Sequence, residues 1–367
     1  MNEEAFVNAE EGGETRVARN CHNRCFHSSE GRLNMKKVRK LVLAIFGLLL
    51  VYGSIMVPLA AGEAITLNVV SFAPAANVVE FQYIKKELFE RINQLAKGKL
   101  TINVKGGPEV IPPFNLGAAV KNGNIDMACI PNAFFEDLVP GVGVTHLSAF
   151  TAVEERKNGV YEAIGELYKK AGMFYLGRGE ATDNGYFILF LNKPVEKKED
   201  FKGLRLGGTT SFHGQYRELG GVASALQTTE YNTAMERGQV DGLSTSIYIA
   251  LAYGLQSVSK YVVQPGFWRS SVAVPINLAK WNKIPADLQK MMISEMAAFE
   301  AKFAPYELEQ RNLFLKKFAD TGAKVISLSP DVARWFVTAS TEGAWKYAQE
   351  RQAGDVIPKM KQLLTKK

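Results

Sequence analysis

From Ala64 onward the hydrophobic period of the chain switches repeatedly between two and 3.6, and this alternation constrains the fold more than any motif. The stretch "AITLNVVSF" alternates like a strand and stops at "APAAN". "VVEFQYIKKELFERINQLAKG" places its apolar residues at helical spacing and stops at Gly98. "KLTINVKGG" returns to period two. "FNLGAAVKNG" reads as a short helix ending at Gly123, and "NIDMACI" as a buried strand. The order strand–helix–strand–helix–strand predicts an α/β architecture with a mainly parallel sheet and helices on both faces. Ligands of such sheets sit beyond the carboxyl ends of the strands, which puts Ser71–Ala73 and Pro131–Asn132 at the mouth of a site.

The pattern then recurs. "GMFYLGRGEA" and "YFILFLN" are strand-like, "KPVEKKEDFKG" is a connection, and "LRL" is a short strand. "SFHGQYRELGG" and "YNTAMERGQ" read as helices closed by glycine, and "VDGLSTS" as a strand with its loop. A second lobe is expected over 186–272. "SSVAVPINL" returns as a strand, so the chain crosses twice between lobes and the crossings make a hinge. In the long apolar stretch that follows, Pro285 suits a first helical turn and Gly322 a helix stop. Pro305 is expected to kink this helix or split it in two. "AKVISL" is a strand, and Ser329-Pro330 looks like an N-cap followed by the first helical position. The expected division is 65–185 plus 273–310 for lobe I, and 186–272 plus 311–367 for lobe II.

A chain of 367 residues is long enough for two lobes, and 47% hydrophobic with 22% charged residues is an ordinary globular balance. The net charge of +7 does not point to nucleic acid. No Lys/Arg run exceeds two, and bases alternate with acids in stretches such as "KKELFERINQLAKGK". Lys36, Lys37, Arg39 and Lys40 belong to "MKKVRKLVLAIFGLLLVYGSIMVPLAAGEA" (35–64), where a cationic start precedes an apolar run and small residues follow. That is the architecture of a secretory signal, and it predicts a periplasmic location. The apolar run of roughly 20 residues also approaches the span of a bilayer, so an uncleaved N-terminal anchor is the competing reading. Glu63 stands where a lipidated Cys would be needed. Residues 1–34 precede the signal and are read as an upstream extension, with Met35 as the true start. Their "CHNRCFH" (Cys21 to His27) matches no standard zinc spacing. Downstream the single cysteine is Cys129, which is expected to be buried.

A search for chemistry is mostly negative. The sequence has no Walker loop, no GxSxG and no HExxH. Of the histidines His22, His27, His146 and His213, none pairs with another at metal-ligand spacing in the mature chain. His213, in the 204–216 loop region, is expected to cap or line a helix start, with ligand contact as the other reading. Glu230 and Asp241 are spaced like structural partners, and nothing assembles a nucleophile, a base and an orienter. The expectation is an exported binding protein that is not an enzyme and needs no cofactor or metal.

"EYNTAMERGQVDG" (230–242) resembles the signature helix and strand of the solute receptors of TRAP transporters, the DctP-type family. Glu230, Tyr231, Ala234, Gly238, Val240, Asp241 and Gly242 fit its pattern. "NGNIDMA" (122–128), "EDFKGLRL" (199–206) and "WNKIPADLQK" (281–290) agree independently, in family order and spacing. The resemblance covers roughly 65–360. It implies a two-lobed periplasmic-binding-protein fold with a hinge and a long linking helix. It also implies a receptor that closes over a small organic acid and docks on TRAP membrane subunits.

The family's ligand carboxylate is normally clamped by a bidentate Arg, whose planar fork matches it. Counting through "KGLRLGG", the clamp position is Gly207, with Arg205 deeper on the same strand face. A second Arg of the pattern falls at Phe187, and a polar Glu-Asn-Pro is replaced by Ser244, Thr245 and Ser246. A sometimes acidic position is Pro131, next to Asn132. Phe267 and Trp268 join the cleft near the lobe junction, with Arg269 beside them. The glycines of "LRLGGTTS" therefore read as a missing clamp. Backbone N–H groups with Thr209, Thr210 and Ser211 still form a place for a weak anion or a neutral polar group. The other reading of "GGTTS" is a turn and N-cap before the helix from Phe212. Losing a charge-assisted pair removes about 1.5–3 kcal/mol, and aromatic area is the replacement. The expected solute is an aromatic or apolar acid whose carboxylate meets Arg178 or Arg269. The opposing reading makes the aromatics core residues and brings in another Arg. A membrane-anchored ligand sensor on the same fold is the alternative function, and an exported enzyme the third.

Overall fold

The structure, a computed structural model, describes residues 64–366 except 75–78, 180–184, 270–271 and 353, together with Lys36, Arg39 and Lys40. Most of the export segment and all of "CHNRCFH" lie outside the described residues. Residues 62–367 form one compact unit, and the strands lie within it. In chain order these are β1 (Ile65–Ser71), β2 (Leu100–Gly106), β3 (Met127–Pro131), β4 (Met173–Gly179), β5 (Phe187–Leu191), β6 (Arg205–Gly208), β7 (Val222–Ala225), β8 (Gly242–Ser246), β9 (Tyr261–Phe267), β10 (Val272–Asn277) and β11 (Lys324–Ser327).

They make two sheets, ordered β2-β1-β3-β10-β4 and β11-β9-β5-β8-β6-β7. β1 runs parallel to β2 and β3, but β10 is antiparallel to β3 and β4. In the second sheet β6 is parallel to β7 and β8, and β11 to β9, whereas β5 is antiparallel to β8 and β9. The sheets are thus mixed, not mainly parallel. The antiparallel members are the two crossing strands. β5 enters the second sheet after β4 of the first, and β10 returns after β9, so neither is laid down by a helical crossover on its own sheet.

Strand composition follows position. β2 lies at an edge and alternates buried Leu100 and Ile102 with exposed Thr101 and Asn103, as a strand covered on one face should. β3 is central, and Met127 through Ile130 are all buried, Cys129 included. Successive residues point to opposite faces. Val69 and Phe190 join one apolar cluster, while Val70, Leu189 and Leu191 join the other.

The helix Ala286–Asp320 covers the first cluster with Met292, Met296, Phe299, Phe303, Phe314 and Phe318. It follows Pro285 and ends before Gly322, whose φ of +90° suits the residue after a helix. It runs through Pro305 as one helix, so the expected split does not occur. Pro305 and Ala301 both lie on the exposed side, where solvent can serve the carbonyl that proline leaves unbonded. The helix Pro330–Arg351 covers the second cluster with Phe336 and Trp345. Ser329 and Pro330 take the expected cap and first-turn positions, without a side-chain capping bond. This helix crosses the short helix His213–Glu218 at a glycine pair. A Cβ on Gly214 would overlap the Gly343 carbonyl, and one on Gly343 would overlap that of Gly214. Among the described residues no helix is long and apolar enough to cross a membrane.

Candidate functional site

The carboxyl ends of β1, β3, β6 and β8 converge with the starts of β5 and β10 on one cleft. It encloses about 630 Å³, its solvent mouth included. This is where the strand order of an α/β sheet places a ligand. Phe72, Pro131, Phe134 and His146 line it from the first sheet's side. Phe187, Phe212, Tyr231 and Trp268 line it from the second, with the hydroxyls of Thr209, Ser211, Thr228, Thr245 and Ser246.

The aromatic wall is locked together. Phe212 stacks on Trp268 with ring centroids 5.5 Å apart and planes 5° from parallel. Phe187 meets Phe212 edge-on at 5.3 Å, and His146 lies 4.6 Å from Trp268. Across the cleft Phe72 and Phe134 meet edge-on at 5.9 Å. Such contacts fix the ring planes of the wall. Trp268 holds a backbone φ of +50°, an unusual conformation for a bulky residue and one that costs about 1–3 kcal/mol. Its carbonyl accepts from Gly185 N at 3.0 Å and Tyr186 N at 3.2 Å, while Arg269 N donates to His146 O at 3.2 Å. These bonds tie the strained residue to both walls.

No Asp, Glu, Lys or Arg occurs among the described lining residues. His146 adds no charge at neutral pH. Its burial, assisted by the nearby Arg178 charge, lowers its pKa to about 4. Thr209 and Ser211 hydroxyls are 2.8 Å apart, and Ser246 Oγ accepts from Ile249 N at 3.2 Å as the cap of the helix Ile247–Ala252.

Six of the twelve residues expected at the site line the cleft: Pro131, Phe187, Thr209, Thr245, Ser246 and Trp268. The other six lie outside this lining. Gly207 faces the core, where a Cβ would overlap Leu226 and lie 3.1 Å from Val240 Cγ1. Its glycine makes room for apolar packing rather than for a ligand. Thr210 opens on a neighbouring groove and accepts from Arg351 Nη1 at 3.1 Å. Phe267 is fully buried against Phe336. Arg178 is fully buried and bidentate on Glu155, with Nη2 2.6 Å and Nε 3.1 Å from its carboxylate oxygens. Arg269 is buried and its Nε donates to Ser148 O at 3.0 Å. Asn132 donates to Thr145 Oγ1 at 2.7 Å and accepts from Tyr168.

The remaining expectations concern structure. His213 is the first residue of its helix. Asp241 accepts from Arg205 N at 2.9 Å and Nη2 at 3.0 Å, and from Lys193 at 2.9 Å. Arg205 first and Lys193 after it hold the carboxyl of Asp241 well below the usual range. Glu230 accepts from Gln227 N at 2.7 Å. His146, Phe134, Phe212 and Tyr231 line the cleft without having been singled out for it, whereas Phe72 lies within the mouth expected at 71–73. Phe212 directly follows "GGTTS", but nothing local marks the others as lining.

Two sheets meeting at a cleft floored by strand ends define a binding protein of the two-lobed α/β class. The family Bacterial extracellular solute-binding protein, family 7 (DctP), matches residues 70–351, and the chain belongs to it. An uncharacterized protein of Haemophilus influenzae is 28% identical over 224 residues, 59% of this chain and 65% of that protein. The chain thus matches just under two thirds of that relative's length. Among solved structures, the solute receptor DctP7 of Bordetella pertussis, which binds pyroglutamic acid, is 16% identical with a TM-score of 0.69, over 83% of this chain and 100% of that one. A TRAP periplasmic solute-binding protein of Desulfovibrio salexigens with bound orotic acid is 17% identical with a TM-score of 0.71, over 82% and 97%. At these identities the likeness establishes a shared fold.

Proposed function

We propose that this protein is the periplasmic solute receptor of a TRAP-type transporter, and that it captures a small organic acid with a flat apolar body. It binds without turnover and hands the solute to the membrane subunits. The observation that carries this reading is the cleft itself, an aromatic slot edged by hydroxyls and lined by no charged side chain among the described residues. Pyroglutamic and orotic acids, held by two structures of the same fold, are both cyclic acids. Here the carboxylate is received by hydroxyl donors at Thr209, Ser211, Thr228 and Thr245 in place of a guanidinium. Neutral donors are weaker than charged ones, and contact with Phe187, Phe212 and Trp268 offsets the difference. Lobe I (65–185 and 273–310) and lobe II (186–272 and 311–367) close on the solute about the two crossings between sheets.

A thermal-shift screen of the purified protein tests this, because a ligand of the folded state raises the melting point by mass action. Aromatic or apolar monocarboxylates are expected to stabilise it, and short dicarboxylates and sugar acids are not. Stabilisation by the latter alone would overturn the apolar reading.

A further inference from the structure

We infer that His146 and Trp268 together read an uncharged solute group that both donates and accepts a hydrogen bond, a hydroxyl or a primary amide on the flat body of the ligand. This rests on the cleft being the solute site. Both rings line it, and the residues are only 6% and 3% exposed. Their centroids lie 4.6 Å apart. His146 Nε2 and Trp268 Nε1 are nevertheless without a hydrogen-bond partner among the described residues. Buried polar atoms are nearly always paired, so two adjacent exceptions on a cleft wall point to a ligand.

Their polarity is complementary. His146 hydrogen-bonds the Gly143 backbone. We assign the ring proton to Nδ1, toward the Gly143 backbone, which leaves a lone pair on the unpartnered Nε2 of the neutral ring. The indole Nε1–H is a donor only. An acceptor and a donor are therefore carried on two rings whose centroids are 4.6 Å apart. A carboxylate, which only accepts, would meet Trp268 and repel Nε2. A hydrocarbon would serve neither. A hydroxyl or amide serves both, while the acid group of the solute lies among the hydroxyls of the second sheet's side. The strained backbone of Trp268 and the two N–H groups on its carbonyl keep the indole in this place.

The test is calorimetric titration of the full-chain protein with benzoate, its 3- and 4-hydroxy and 3- and 4-carbamoyl derivatives, and neutral phenol and benzamide. At least one hydroxy or carbamoyl probe is expected to bind about tenfold tighter than benzoate, roughly the worth of a buried hydrogen bond. The preference should largely vanish in Trp268→Phe, which keeps the stacked ring, and in His146→Phe. Should His146→Phe fail to fold, Trp268→Phe decides, with the indole N–H resonance that it removes. In the wild-type protein that resonance should shift with the preferred probe and not with benzoate. Equal binding of benzoate and all its derivatives would overturn the inference while leaving the acid receptor standing. Binding of phenol or benzamide but of no acid would support it and overturn the acid reading. Binding of no probe overturns both.

Discussion

Burial holds the imidazole of His146 at a pKa of about 4, and the Arg178 charge pushes the same way against the Gly143 hydrogen bond. In an unfolded chain the ring titrates near 6.5. Above that pH neither state carries the proton. Between about pH 6.5 and 4 the unfolded chain takes up a proton that the folded ring refuses, so stability falls with pH, by up to about 3 kcal/mol. Below that window both states are protonated and this loss stops growing. His146→Phe is expected to flatten the dependence of the denaturant midpoint on pH between 7 and 4. A variant curve parallel to the wild type would show that the folded ring ionises freely. At this scale the sequence was legible where strand ends decide. Pro131, Thr245 and Ser246 close strands, and closing a strand puts them at the cleft. It was not legible where distant packing decides. Gly207 looks inward because Leu226 and Val240 fill that side, and Arg178 is held by Glu155, a residue with no sequence signal toward it.

Elements reveal themselves through what glycine permits. The helices His213–Glu218 and Pro330–Arg351 approach backbone to backbone at Gly214 and Gly343. A methyl group at Gly343 gains helix propensity of about 1 kcal/mol, but it meets a carbonyl that cannot rotate away. Gly343→Ala is therefore expected to lower stability by about 1–3 kcal/mol or more. Gly165, in the helix Val160–Lys170, has open space where a Cβ would go. Gly165→Ala should raise stability by about 0.5–1 kcal/mol. Chemical unfolding of both variants checks the contrast, and a Gly343→Ala protein as stable as the wild type would show that the helices can separate. The alternation of strand and helix foretold β1 through β6. It passed over β9, whose Pro265 and Gly266 break a strand pattern, and β7, whose "VASA" is too short and small to carry one. Sheet direction was also hidden, since no local pattern tells a crossing strand from one returned by a helix.

For the whole molecule the decisive member is the helix Ala286–Asp320, whose 35 residues span about 52 Å. Its first half lies over the first sheet beside β4, with Glu300 Oε1 accepting from Arg178 N at 3.1 Å. Its second half reaches the second sheet, where Phe318 lies 5.1 Å from Phe190. One rod is thus fastened to both walls of the cleft. In the proposed closure it must bend, and it bends most easily where a rung of its ladder is absent, at Pro305. Pro305→Ala restores that rung. The variant should unfold at higher denaturant, yet contract less when a solute is added, as read by small-angle scattering. Full contraction in the stiffer variant would mean that the helix rides along without flexing. The same feature bears on the return stroke. In the proposed closure a rod flexed by capture would recoil when its cargo leaves, and Pro305 would then act as the leaf of a spring whose stiffness sets how quickly the emptied receptor is ready again.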